Sequence, residues 1–209
     1  MKILVVDDHA VVRKGLKRIL TDAFTNLIFR EAGSAQEAID LIWKERWDVV
    51  ILDIKLPGRS GIEVLTESRK IRPGLPVLIF SMHPEDQFAI RMLKSGAAGY
   101  LMKETAPEVL VAAINKVLTG RRYISPSLSE RMADYLEIDF QKPLHDQLSN
   151  REFQVMQLIA SGQSVGEISE VLKLSAKTIS TYRTRIMEKM SMHSNAELTR
   201  YVIDNQLIE

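Results

Sequence analysis

Three aspartates, a serine and a lysine are the residues of this chain best placed for chemistry. Asp7 and Asp8 follow the apolar run Ile3–Val6, and Asp53 follows Val49–Leu52. Ser81 follows Val77–Phe80, and Lys103 follows Tyr100–Met102. Carboxylates that share a site repel one another and need a cation, and a donor set made only of oxygens favours Mg2+. An aspartate beside bound Mg2+ is neutralised enough to attack an electrophilic phosphorus, which gives an aspartyl phosphate. A lysine can neutralise the phosphoryl oxygens and a serine hydroxyl can donate to them. Taken singly, these residues have plainer readings, with Asp7 and Asp8 as helix caps and Asp53 as the start of a loop. It is their shared position, just past an apolar run in each case, that marks a site.

A second group lies on residues 176–190. Projected as a helix at about 100° per residue, Ile179, Ile186, Met187 and Met190 fall on one side. Lys177, Thr181, Thr184, Arg185 and Glu188 fall on the other, with Ser180 and Tyr182 on the flanks. Lys177, Arg183, Arg185 and Lys189 face only Glu188 in this stretch, a local charge of +3. Small hydroxyls can approach base edges and long cations can reach phosphates, so this face suits DNA. By charge alone it suits the solvated face of a protein-binding bundle slightly better.

These side chains need elements to hold them. Short apolar runs at Ile3–Val6, Leu27–Phe29, Val49–Leu52, Val77–Phe80 and Tyr100–Met102 read as strands buried on both faces. Amphipathic stretches separate them, one opened by the capping-box pattern Ser34-x-x-Glu37. Strict alternation implies a parallel sheet with helices on both faces, and five such units make a small doubly wound α/β domain of flavodoxin-like (βα)5 type. The crevice of such a sheet lies at the carboxyl ends of its strands, where the five polar residues fall. After Gly120 the pattern changes. Residues 121–145 read as a linker with a short helix near 127–136, and residues 146–209 as a four-helix domain. Its helices are expected near 150–161, 165–172, 176–190 and 195–205, with capping boxes at Ser149-x-x-Glu152 and Ser164-x-x-Glu167 and a stop at Gly162. The pair at 165–172 and 176–190 has helix-turn-helix spacing.

Bulk properties narrow the class. The 209 residues allow one large domain or two modest ones. There is no cysteine, hence no disulfide and no thiol chemistry. The longest apolar runs are far too short for a membrane span or a signal-peptide core, so a soluble, cytoplasmic protein without membrane contact is expected. Net charge is +2 over residues 1–120, −1 over 121–146 and zero over 147–209, so bulk charge does not announce a nucleic-acid binder.

Two resemblances sharpen the reading. Asp7-Asp8, Leu52-Asp53-Ile54-Lys55-Leu56-Pro57-Gly58, Ser81 and Gly99-Tyr100-Leu101-Met102-Lys103 together resemble the response-regulator receiver family over residues 1–120. The resemblance implies that Asp53 is the phosphoacceptor, assisted by Lys103 and Ser81. It implies that Asp7, Asp8, Asp53 and the backbone carbonyl of Lys55 hold Mg2+, and that Ser81 and Tyr100 move on phosphorylation. A haloacid-dehalogenase-like phosphatase also forms an aspartyl phosphate, but it needs an aspartate two residues past the nucleophile, where this chain has Lys55. Lys55 and His83 sit near the path of an attacking water. Either they set the lifetime of the phosphate, or His83 is an exposed helix-start residue before Pro84.

The second resemblance covers residues 146–209. Leu148-Ser149-x-Arg151-Glu152, Ser175-x-Lys177-Thr178-Ile179-Ser180-Thr181 and Ile186-x-x-Lys189-Met190 look like the NarL/LuxR-type helix-turn-helix. It implies that Ser180, Thr181 and Thr184 read bases while Lys177, Thr178, Tyr182, Arg185 and Lys189 contact phosphates. Position 182, often histidine in the family, is tyrosine. Arg183 stands where the family is often apolar, and its guanidinium is expected to pair with Glu152 or reach a phosphate. The combined expectation is a two-component response regulator of the NarL/FixJ type, a phosphoprotein switch rather than a turnover enzyme. Its implied partners are a sensor histidine kinase, double-stranded DNA, a second copy of itself when phosphorylated, and RNA polymerase.

Overall fold

The computed structural model describes residues 1–57, 60–137 and 143–208, so Gly58 of the receiver motif and part of the expected linker lie outside the described residues. The chain divides into two compact units, residues 1–133 and 134–209.

The first unit is built on five parallel strands: β1 (Lys2–Val6), β2 (Ile28–Ala32), β3 (Val49–Leu52), β4 (Val77–Ser81) and β5 (Gly99–Met102). Their order across the sheet is β2-β1-β3-β4-β5. Helices α1 (Ala10–Ala23), α2 (Ala35–Lys44), α3 (Gly61–Ile71), α4 (Glu85–Lys94) and α5 (Pro107–Leu118) follow the strands in turn. Parallel strands cannot be joined by tight hairpins, so each connection crosses a face through a helix, and both faces are covered. Ile3, Val5, Val49, Ile51, Leu78 and Phe80 meet Leu16 and Leu20 of α1 and Leu110, Ile114 and Val117 of α5 in one core. The alternate residues Leu4, Val50, Leu52 and Ile79 are equally buried on the other face. β2 departs from the sequence expectation. It starts one residue later, runs to Ala32 at the sheet edge beside β1 and is only alternately covered.

Strand order reverses between β1 and β3, whose carboxyl ends lie side by side, with Val6 paired to Leu52. The ladder continues one residue past these strands. Asp7 N donates to Ala32 O at 3.1 Å, Asp53 N to Val6 O at 2.8 Å and Lys103 N to Ser81 O at 2.8 Å. Main-chain hydrogen bonds therefore fix the backbone of three functional residues before their side chains interact.

After α5 the chain turns back along the sheet. Tyr123 N donates to Ala98 O at 2.8 Å, and Tyr123 bridges to Gly99. Helix α6 (Pro126–Glu137) then begins, with proline at its first position, where no amide donor is needed.

The second unit holds a short 3-10 helix, Leu144–Gln147, and helices α7 (Asn150–Ala160), α8 (Val165–Leu172), α9 (Ala176–Met190) and α10 (Asn195–Asp204). Both expected capping boxes form, at Ser149 with Glu152 and at Ser164 with Glu167. Gly162 ends α7 in the left-handed region, at φ +82°. The box at Ser34 is only half made, since the Glu37 carboxylate accepts from Gly33 N instead of Ser34 N.

The buried Glu152 carboxylate does more than cap. It accepts from Ser149 N and Oγ at 2.8 Å each and from Lys189 Nζ at 2.6 Å, joining the start of α7 to the end of α9. Burial pushes the Glu152 carboxyl up, but Lys189 and Ser149 outweigh it and hold the group below the ordinary glutamate value of 4.5. A lowered native pKa adds stability that is complete above the unfolded-state value and disappears as pH falls through the native one. Glu152→Gln is expected to cost about 2 kcal/mol at neutral pH. The Lys189 share is reduced by solvent, since that side chain is 40% exposed. Urea unfolding at neutral and acid pH checks this: the gap between wild type and variant should close as pH falls below about 4.

Candidate functional site

The carboxyl ends of β1, β3 and β5 bring Asp7, Asp53 and Lys103 together. The Lys103 ammonium lies between two carboxylates, 2.5 Å from Asp7 Oδ2 and 2.7 Å from Asp53 Oδ2, and its side chain is only 7% exposed. The second oxygen of each aspartate is also bonded. Asp53 Oδ1 accepts from Lys55 N at 3.2 Å, and Asp7 Oδ1 accepts from His9 N at 2.8 Å. Burial pulls the Lys103 ammonium toward neutrality, but hydrogen bonds to Asp53 and Asp7 overcome this and raise its pKa. Burial raises the Asp53 carboxyl, and Lys103 offsets that only in part. The two shifts differ in source: the two carboxylates around Lys103 hold its ammonium charged, whereas the Asp53 carboxyl is raised chiefly by its own burial, with the charge of Asp7 adding to it.

Asp8 lies toward the solvent side, with His9 Nδ1 2.8 Å from its Oδ1 and 3.2 Å from Asp7 Oδ1. Ligand atoms of Asp7, Asp8, His9 and Asp53 all fall within 4.8 Å of one another. Three carboxylates against one lysine leave an oxygen-rich pocket of charge near −2, which fits a hard divalent cation such as Mg2+. His9 was not among the residues singled out from the sequence. Its place directly after Asp7-Asp8 is the signal that could have found it.

Ser81, the last residue of β4, is buried, and its Oγ accepts from His83 N at 3.3 Å. The Tyr100 ring is wholly buried, so it already occupies the interior, and its hydroxyl donates to His83 O at 2.8 Å. His83 thus has both main-chain groups engaged by the two expected switch residues, and its ring stacks on Phe88 at 4.5 Å. It is a half-buried hub of the β4–α4 turn rather than an exposed helix-start residue.

Two residues further on, Glu85 opens α4 and binds the start of α6. Ser125 Oγ lies 2.8 and 2.7 Å from its two carboxylate oxygens, and Ser127 Oγ donates to Oε2 at 3.1 Å. Leu128 N donates to the same Ser125 hydroxyl, so Ser125 caps α6 while holding Glu85. A carboxylate at a helix N-terminus is also favoured by the helix dipole. No local pattern announces this contact, because it joins residues 40 apart.

In the second unit, Ile179, Ile186 and Met190 of α9 are buried, whereas Lys177, Ser180, Thr181, Thr184, Arg185 and Lys189 are exposed and Thr178 and Tyr182 half-buried. The two threonine hydroxyls bond back along the helix, Thr181 Oγ1 to Lys177 O at 2.9 Å and Thr184 Oγ1 to Ser180 O at 3.2 Å. Arg183 does not pair with Glu152. Its Nε donates to Asn195 Oδ1 at 2.8 Å, and Glu152 is taken by Lys189. The Glu152 half of that expectation fails because Lys189, further along α9, reaches the buried carboxylate while Arg183 lies beside the start of α10. Arg151 Nη2 donates to Leu172 O at 3.1 Å at the end of α8. Arg151 therefore binds the carboxyl end of α8 and Glu152 the carboxyl end of α9.

Comparison with known proteins agrees with both units. Residues 3–115 match the response regulator receiver domain, and residues 146–202 match the bacterial regulatory proteins of the luxR family. The response regulator UvrY of Escherichia coli is 36% identical over 208 residues, which span 99% of this chain and 95% of UvrY. The response regulator GacA of Pseudomonas aeruginosa is 37% identical over 213 residues, spanning 100% of this chain and 98% of GacA. RcsB of Salmonella enterica serovar Typhimurium, bound to promoter rprA in the presence of phosphomimetic BeF3-, superposes with a TM-score of 0.69 at 25% identity, over 97% of this chain and 98% of RcsB.

Gly61 is a further requirement of the acidic pocket. Its N donates to Ile54 O at 2.8 Å, and a Cβ there would collide with the Asp53 carbonyl oxygen and stand 2.8 Å from Ile54 Cα. Gly61→Ala is expected to destabilise by about 1–3 kcal/mol, the usual cost of overpacking. Gly74→Ala, where a Cβ meets nothing within 4 Å, is the control and should show no comparable loss on urea denaturation.

Proposed function

The chain belongs to the two-component response regulators that regulate transcription through a LuxR-family DNA-binding domain, and on that premise we propose that Asp53 is its phosphoacceptor. The observation that carries this is the Lys103 ammonium held between Asp7 and Asp53 at the ends of three buried strands. In the reaction, an Asp53 oxygen forms a bond to phosphorus as the phosphorus–nitrogen bond of a kinase phosphohistidine breaks, and the imidazole leaves with the electron pair. Asp7, Asp8, Asp53 and the Lys55 carbonyl are the residues to hold Mg2+, which supplies charge neutralisation for the incoming phosphoryl group. Lys103 follows the phosphoryl oxygens. The modification is stoichiometric and its loss is slow, with Lys55 and His83 facing the attacking water.

The Ser81 hydroxyl then donates its proton to a phosphoryl oxygen, and the rotation that brings it there carries its oxygen away from His83 N. Tyr100 remains on His83 O and the turn moves with it. Glu85, two residues along, passes the movement to the cap of α6 through Ser125 and Ser127. This is a two-state element in contact with the site, as a switch requires.

On the DNA side, Ser180, Thr181 and Thr184 face the bases, with Lys177, Thr178, Tyr182 and Arg185 on phosphates. Lys189 contributes there with whatever donors its bond to Glu152 leaves. Two copies on a two-fold repeated site give the affinity that one small module lacks, and the bound dimer meets RNA polymerase at promoters. Among the described residues no helix is long and apolar enough to cross a membrane.

The test is binding to a genomic DNA library, with and without a small phosphodonor and Mg2+. A two-fold repeated site should be enriched, more strongly in phosphorylated wild type and not in Asp53→Ala, and affinity should fall steeply with salt. Phosphate uptake that survives Asp53→Ala would place the acceptor elsewhere. Glu85→Gln should take up phosphate normally yet narrow the affinity gap between the two states by about fivefold or more.

A further inference from the structure

Asp7 makes main-chain and side-chain contacts on every side, and one of them comes from outside the acidic pocket. Its carbonyl lies past the last rung of the β1–β3 ladder, where no strand partner remains. The donor it finds is Arg13, whose Nη1 is 2.7 Å away, one turn into α1. The same guanidinium donates through Nε to Glu31 Oε2 of β2 at 2.9 Å. Arg13 is 19% exposed at its side chain, so its charge is only partly screened by water.

Two physical demands meet at this residue. The Asp7–Asp8 turn must be held with both carboxylates facing Asp53, and an unanswered main-chain carbonyl would loosen that turn. Yet a guanidinium next to a pocket that attracts a dication repels that dication. Glu31 resolves the conflict. It cancels the charge of Arg13 while leaving Nη1 aimed at the Asp7 carbonyl.

We infer that Arg13 is a positioning residue for the Mg2+-binding acidic pocket and that Glu31 makes it compatible with a cation there. The inference rests on the phosphoacceptor reading above. Arg13 touches neither the phosphoryl group nor the Asp53 carboxylate. It acts on Asp7 through the main chain, and through Asp7 on the cation. Groups in such a supporting position typically change metal affinity by about 10–100-fold.

The experiment is Mg2+ titration calorimetry on the full chain, with thermal unfolding of the metal-free protein measured in parallel. Four proteins are compared: wild type, Arg13→Ala, Glu31→Gln and the double variant. Arg13→Ala should weaken Mg2+ binding about tenfold. Phosphate uptake from a small phosphodonor should slow at low Mg2+ and recover when Mg2+ saturates. Glu31→Gln should also weaken Mg2+ binding, because it keeps the guanidinium and exposes its charge. The double variant removes one positive and one negative charge, so its Mg2+ affinity should fall below that of wild type by the positioning loss alone, about tenfold. Mg2+ affinities unchanged in both single variants, with only thermal unfolding altered, would reduce Arg13–Glu31 to an ordinary stabilising pair and overturn the inference. Wild type that neither binds Mg2+ nor takes up phosphate would instead remove the phosphoacceptor reading, and the inference with it.

Discussion

An ammonium shared by two buried carboxylates governs this molecule. Lys103, Asp7 and Asp53 come from three strands that are not consecutive in sequence, and each costs free energy to bury unless the others are present. The parallel sheet makes the arrangement attainable, because it points all its strands the same way and gathers their ends on one edge. The hydrogen-bond ladder extends one residue beyond β1, β3 and β5, so the charged groups sit on backbone that is already fixed. The excess negative charge that remains is what a divalent cation would neutralise.

The helical unit uses the same principle for a different end. A buried carboxylate, Glu152, is satisfied by a helix cap on one side and by Lys189 of α9 on the other. Its neighbour Arg151 binds the carbonyl end of α8. The Ser149-x-Arg151-Glu152 segment is thus less a sequence signature than a bracket, holding both helices of the helix-turn-helix from the helix before them. The exposed face of α9 can then carry hydroxyls and cations without having to stabilise the domain.

Most of the fold was legible because its causes are local or periodic. Apolar runs bounded by aspartates located β1 and β3 to within a residue, and serine–glutamate spacing located the starts of α7 and α8. The chemistry at the strand ends was legible too, since residue type and position coincided. What escaped had non-local causes. The edge position of β2 depends on strand order, the Arg183–Asn195 pair on how α9 meets α10, and Glu85–Ser125 on a chain that turns back along β5. Gly61 was invisible for a similar reason, because the obstacle to a side chain there is the backbone of Asp53, eight residues earlier.

The back-bonded threonines of α9 have a consequence for the polarity of its outer face. A hydroxyl carries one proton and two lone pairs, and Thr181 and Thr184 both spend the proton on their own helix. Toward a partner they present lone pairs only. Under the base-reading role proposed above, that favours base edges carrying an amino group, the N6 of adenine or the N4 of cytosine, over edges that offer only acceptors. A residue type that seems indifferent to its partner in the sequence is given a preferred direction by the helix that holds it.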